Sequence, residues 1–184
     1  MIIIALDPDN IKQIKGYTEK DVVEYISSYK PERILCTIGT GNGDISPTVQ
    51  GILDEPEIKQ KLKFVGVDNS KYSLTEAEYM KKNSDRIDFQ IKRNVLEMID
   101  TSIRSFLEGY WNSPETVNSD LTDTMYKAKH RLRATIFYDL EEATWENRNE
   151  SILNNIRSAS PGRNEVLLCT LEERYWFNEK LSVF

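Results

Sequence analysis

The stretch Leu35–Pro47, LCTIGTGNGDISP, limits the fold more than any other part of this 184-residue chain. Gly39, Gly41 and Gly43 alternate with small residues directly after the apolar run RILC. Glycine permits a tight turn and lets another group approach the backbone with no Cβ in the way. The apolar run has the length of a strand, and DISPTVQGILDEPEIKQKL after it has helical spacing. Pro47 stands near the start of that helix, where proline is tolerated, and Pro56 is expected to break it. Strand, glycine turn and helix in that order predict a site at the carboxyl end of a parallel sheet.

The remaining chain repeats the alternation. TEKDVVEYISSYK places Val22, Val23, Tyr25 and Ile26 on one helical face, with Thr18 and Asp21 as its cap. KFVGVD is a predicted strand ending on Asp68, and SLTEAEYMKKNS a short helix capped by Ser73 or Thr75. RIDFQIK alternates like a strand, and NVLEMIDTSIRSFLEGYW has helical periodicity. NSPETVNSDLTDT reads as a loop, MYKAKHRLR as a helix end, and ATIFYDL as a strand. TWENRNESILNNIRSAS is a predicted helix, PGR a turn, NEVLLCTLEE a strand, and RYWFNEKLSVF a last strand. Helices between apolar strands predict an α/β fold with a parallel sheet covered on both faces. With no repeat, low-complexity tract or composition shift, residues 1–184 form one expected domain.

Hydrophobic residues make up 39% and charged residues 29%, the balance of a globular chain. A net charge of −6 argues against a protein that coats nucleic acid, although it leaves room for a local basic groove. The run KAKHRLR fits a solvated helix end better than a phosphate contact. No apolar run approaches the roughly 20 residues of a membrane span. Cys36 and Cys169 sit in strand-like runs and read as buried reduced thiols, which points to the cytoplasm. With them and the lone His130, no spacing marks a metal site.

The glycine pattern is G-x-G-x-G, one residue tighter than the dinucleotide pattern G-x-G-x-x-G, and no G-x-x-x-x-G-K-[ST] run is present. A nicotinamide-dependent oxidoreductase is thereby disfavoured. The helix after the turn offers free N–H groups, and a carboxylate at Asp68 can accept from both hydroxyls of a ribose.

ILCTIGTGNGDIS followed by FVGVDNS resembles the class I S-adenosylmethionine-dependent methyltransferases, and ILNNIRSASPGRNEVLLCT is similar to the helix, Pro-Gly turn and fifth strand of that family. The likeness spans roughly residues 18–171 and is strongest at 34–70. Among subfamilies, IGTGNGD paired with VDNS is most similar to histamine N-methyltransferase and its relatives. The resemblance implies a Rossmann-like, doubly wound, mostly parallel sheet and S-adenosyl-L-methionine as cofactor. It implies that Gly39, Gly41 and Gly43, with Thr37 and Thr40, wrap the methionyl part. Asp68 would hold the ribose, Asn69 would border the adenine, and Gln90 would lie at the adenine edge, with Arg93 or Asn94 as substitutes. Tyr138, Asp139, Glu142 and Trp145, in YDLEEATW, would face the methyl acceptor, and their acids and rings suit a cationic amine, although the acids Asp139, Glu141, Glu142 and Glu146 fit a solvated helix start better.

The chain departs from that family at Thr37, which stands where an acidic residue usually helps hold the cofactor's amino group. It also has few residues after NEVLLCTLEE, so the family's closing hairpin is abbreviated to RYWFNEKLSVF or completed by a partner. The aromatic tail Tyr175, Trp176, Phe177 and Phe184 is therefore an expected edge or oligomer contact. The expected function is methyl transfer to an unidentified small amine or macromolecule. The alternative is an inactive methyltransferase-like subunit that keeps the fold for interaction. No histidine-based triad or nucleophile motif is present, which suits displacement at a sulfonium by an already nucleophilic acceptor.

Overall fold

The computed structural model describes residues 1–39, 45–159, 162 and 164–181. Thr40, Gly41, Gly43 and Phe184 lie outside them. The described residues form an α/β fold around a parallel sheet of four strands: β1 (Ile2–Leu6), β2 (Arg33–Cys36), β3 (Leu62–Phe64) and β4 (Glu165–Thr170), in the order β1-β4-β2-β3. Helix α1 (Glu19–Ser28) links β1 to β2, and α2 (Pro47–Asp54) and α3 (Pro56–Lys59) link β2 to β3. A long excursion then carries α4 (Ser70–Asn83), α5 (Ile87–Tyr110), α6 (Pro114–Val117), α7 (Asp120–Ile136), α8 (Tyr138–Glu141) and α9 (Asn147–Ser158) before β4. Helix α10 (Leu171–Leu181) follows β4 directly.

Alternate strand residues serve the two faces of the sheet, as a pleat of period two requires. Ile4, Leu6, Ile34, Cys36, Val166 and Leu168 pack with α1, α2, α5 and α7. Ile3, Leu35, Leu167 and Cys169 pack on the other face with Ile152, Leu153 and Ile156 of α9 and Phe177 of α10. Both cysteines are buried and free. Burial raises both thiol pKa values, Cys36 to about 12, so neither is a ready nucleophile.

Local chemistry sets several boundaries. The Thr18 hydroxyl accepts from Asp21 N at 3.2 Å while the Asp21 carboxylate accepts from Thr18 N at 2.8 Å, closing a capping box on α1. Pro47 and Pro56 open α2 and α3, and Glu55 separates these helices with extended backbone.

Other segments depart from their sequence pattern. RIDFQIK is not a strand: α5 begins at Ile87, because only Phe89 of its alternating set is buried, against Phe137 and Leu140. The helical spacing Phe89, Leu96, Ile103 and Leu107 governs the whole segment. ATIFYDL is the end of α7 and the start of α8, with Phe137 at the bend between them. NSPETVNSDLTDT holds α6 and the start of α7. The predicted abbreviated closing strand, RYWFNEKLSVF, belongs instead to α10 over its described part, and Tyr175 and Phe177 are buried in the chain's own core. β3 ends at Phe64, so Asp68 lies four residues beyond it. The opening run IIIAL is an edge strand, β1.

That edge is closed by a side chain. Asn118 Oδ1 accepts from Ala5 N at 2.6 Å, and Asn118 Nδ2 donates to Ala5 O at 3.2 Å. The amide thus takes the place of a neighbouring strand at one residue of β1. Asn118→Leu leaves the buried N–H and C=O of Ala5 without these partners. The expected loss is about 1–3 kcal/mol, read as a drop in the thermal midpoint of several degrees.

Candidate functional site

β2 lies between β3 and β4, so the chain leaves it toward one side of the sheet and returns on the other. Such a reversal opens a crevice beyond the carboxyl ends of the strands. Gly39, three residues past β2, has φ +87°, and a Cβ there would overlap the Ile45 side chain. Glycine is required at this position by both conformation and space.

A cavity of about 450 Å³ opens at the same edge, a volume suited to a small organic ligand. Its floor is Leu6 and Asp7 at the end of β1, Thr170 at the end of β4, and Leu171–Glu173 at the start of α10. Its walls carry Asn69, Tyr72 and Glu76 from the α4 end, Arg104 from α5, Arg133 from α7, and Trp145 and Arg148 beyond α8. Trp145 belongs to a single π turn, Glu142–Glu146, that precedes α9.

Glu173 organises the floor. It is 1% exposed, and its Oε2 accepts from the Thr37 hydroxyl at 2.9 Å and from Thr170 N at 3.0 Å. Its Oε1 meets Arg148 Nη1 at 2.5 Å. Arg148 Nε donates to Asn69 Oδ1 at 2.7 Å. A carboxylate and a guanidinium therefore lie together at the cavity, positioned by residues from β2, β4, α4 and α9. Asp7 is also buried, held by Asn10 Nδ2 at 2.7 Å. Burial raises its pKa, against the pull of the Asn10 and Asp9 hydrogen bonds.

Behind the Trp145 wall sits a second polar cluster. His130 Nε2 lies 2.9 Å from Glu141 Oε2, and His130 Nδ1 meets the Tyr175 hydroxyl. Arg133 pairs with Glu76 at 2.7 Å, and its Nε faces Glu141 Oε1 as an ion pair without an aligned hydrogen bond. Burial raises the Glu141 pKa to about 7, although Arg133 opposes the shift. Burial lowers the His130 pKa. The imidazole lies against the Trp145 ring, with centroids 3.7 Å apart.

The residues singled out in the sequence are divided by the fold. Thr37, Asn69 and Trp145 join the cavity or the side chains that form it. Asp68 is exposed, and its carboxylate accepts from Ser70 N at 2.8 Å and the Ser70 hydroxyl at 2.6 Å, which lowers its pKa. Gln90 is exposed on α5 and donates to Ser84 O at 2.8 Å. Tyr138, Asp139 and Glu142 are exposed and do not line the cavity.

Spacing alone does not mark Arg148 or Glu173, whereas Glu141 and Arg133 lie in the runs YDLEEATW and KAKHRLR that the sequence sets apart. Asp7 could have been found, because the run IIIALD ends on an acid just as FVGVD does. Comparison with protein-family models, curated proteins and solved structures finds no match to this chain.

Proposed function

We propose that this chain is a Rossmann-like methyltransferase that holds S-adenosyl-L-methionine across the carboxyl edge of β2 and β4. The observation that carries this is the link from β2 to the cavity: Gly39, at positive φ, follows the strand at which strand order reverses, and Thr37 of the same segment bonds Glu173, which lines a ligand-sized cavity. The residues suit the amino-acid half of such a ligand. Glu173 offers a carboxylate to an ammonium group, and Arg148 offers a guanidinium to a carboxylate. Thr37 lacks a charge of its own, but its hydroxyl is bonded to Glu173, so a carboxylate stands beside it. Tyr72 and Trp145 offer apolar rings for an adenosine or an amine acceptor.

S-adenosylmethionine, when bound, would supply a methyl group on a sulfonium whose sulfur can take up the carbon–sulfur bond electrons as an acceptor lone pair bonds to the carbon. The chain's own part is to bind, align and exclude water. Along the cavity Asp9, Glu76, Glu173 and Glu172 are each paired with a cation, Arg104, Arg133, Arg148 and Lys129, so Asp7 is the cavity carboxyl that can meet a cationic amine acceptor.

A second function is favoured by Asp68 and Gln90. Both are turned to local partners outside the cavity, so the ribose and adenine contacts implied by resemblance are not assembled. A domain of this kind serves as an interaction module with a small-molecule crevice and no methyl transfer.

Calorimetric titration separates the two. Micromolar binding of S-adenosylmethionine and its demethylated product, with none of NAD, is the expected result for the enzyme. Binding of none of the three leaves the interaction module.

A further inference from the structure

The geometry points to a two-fold dimer of this chain built on the outer face of α5. Along that helix Ile91, Val95, Met98, Ser102, Phe106 and Tyr110 follow one another at steps of three or four residues. Such steps keep them on one stripe of the helix surface. Ile91 is 59% exposed, Met98 73% and Phe106 53%, while α5 buries Phe89, Ile103 and Leu107 on a different face. The apolar members of the stripe expose on the order of 500 Å², taking about 200 Å² for a large apolar side chain. Stable interfaces take roughly 800 Å² from each partner, so the stripe supplies most of one.

The order of residues selects a second copy as the occupant. About a centre between Asp100 and Thr101 the stripe is close to its own reverse. Two copies laid antiparallel place Ile91 against the partner's Tyr110, Val95 against the partner's Phe106, and Met98 beside the partner's Ser102. Each large ring then meets an aliphatic side chain, and the longest aliphatic meets a hydroxymethyl group. A two-fold contact requires such self-complementarity, and a heterologous partner does not.

Charges beside the stripe do not oppose the contact. Arg93 pairs with Glu97 at 3.0 Å, Arg104 with Asp9 at 3.8 Å, and Asp100 with Lys129 at 2.5 Å, all within one chain. Tyr175 and Phe177 of the aromatic tail offer no equivalent surface, because they are buried in the chain's own core.

Sedimentation velocity between about 1 and 100 μM tests the dimer, and cysteine crosslinking tests its register. The wild-type chain is expected to sediment as a dimer, and Met98→Glu as a monomer with an unchanged circular dichroism spectrum. Under oxidation Ser102→Cys crosslinks, since its two copies are offset by only about 4.5 Å along the helices. Ile91→Cys does not, since its copies are roughly 28 Å apart. Cys36 and Cys169 are buried and leave the background clean. A monomeric wild type at 100 μM overturns the inference, as does a dimer that survives Met98→Glu or crosslinks through Ile91→Cys. So does a monomer whose α5 stripe binds phosphatidylcholine–phosphatidylserine vesicles.

Discussion

Glu173→Ala is expected to destabilise the fold by about 3–5 kcal/mol, the range for removing one partner of a buried ion pair. The substitution leaves the Arg148 guanidinium beside an empty space, and it strands the Thr37 hydroxyl and Thr170 N–H. Urea unfolding monitored by tryptophan fluorescence reads the loss as a lower midpoint at unchanged slope. Glu173→Gln separates fold from site. Its amide oxygen still accepts from one of the buried donors, so the stability loss is smaller, but its charge is gone. Affinity for S-adenosylmethionine is then expected to fall by at least tenfold, since charge-assisted hydrogen bonds are roughly twice as strong as neutral ones. An unchanged urea midpoint for Glu173→Ala would remove Glu173 from the centre of the site.

The Glu141 contribution to stability is expected to fall as pH rises from about 4.5 to about 7, because burial raises the Glu141 pKa to about 7 in the folded chain. The folded state then binds a proton that the unfolded state has released, and stability declines with pH wherever that holds. The Glu141 contribution is fully present below pH 4.5 and is lost as pH passes 7. A shift of that size corresponds to about 3 kcal/mol at most. His130 acts in the opposite sense: burial lowers its pKa, so its contribution is present above about 6.5 and fades as pH falls. The wild-type profile therefore combines a descending limb from Glu141 with an acid-side loss from His130. Glu141→Gln removes only the descending limb. Denaturant titrations at pH 5, 6, 7 and 8 check this, and an unchanged profile in the variant contradicts the assignment.

Much of the fold follows from local rules. Thr18 and Asp21 cap α1 because a hydroxyl and a carboxylate three residues apart can satisfy each other's backbone donors. Pro47 and Pro56 each open a helix because the ring removes a donor that the first turn does not need. RILC and EVLLCT are strands because both faces of a parallel sheet are buried, which makes their sequences continuously apolar. RIDFQIK misleads because alternation over seven residues matches both periods until Phe89 is seen as part of Leu96, Ile103 and Leu107. RYWFNEKL has no clean apolar face, because α10 buries residues against both cores at once: Tyr175 with one and Phe177 with the other.

The site is less legible for a different reason. Thr37 and Glu173 are 136 residues apart and meet only because β4 returns beside β2. Arg148 reaches Glu173 only because the excursion from α4 to α9 folds back over the carboxyl edge. No spacing rule records such meetings. Asp68 shows the converse: its position in FVGVD is that of a ligand carboxylate, yet Ser70, two residues on, satisfies it locally.

The most direct test of the proposed methyl-donor site is a two-dimensional amide spectrum of the isotope-labelled chain titrated with S-adenosylhomocysteine. Saturable shifts are expected at Thr37, Gly39, Asn69, Arg148 and Thr170–Glu173, around the carboxyl ends of β2 and β4. A spectrum left unmoved by millimolar ligand, or shifts confined to residues remote from that edge, would contradict it.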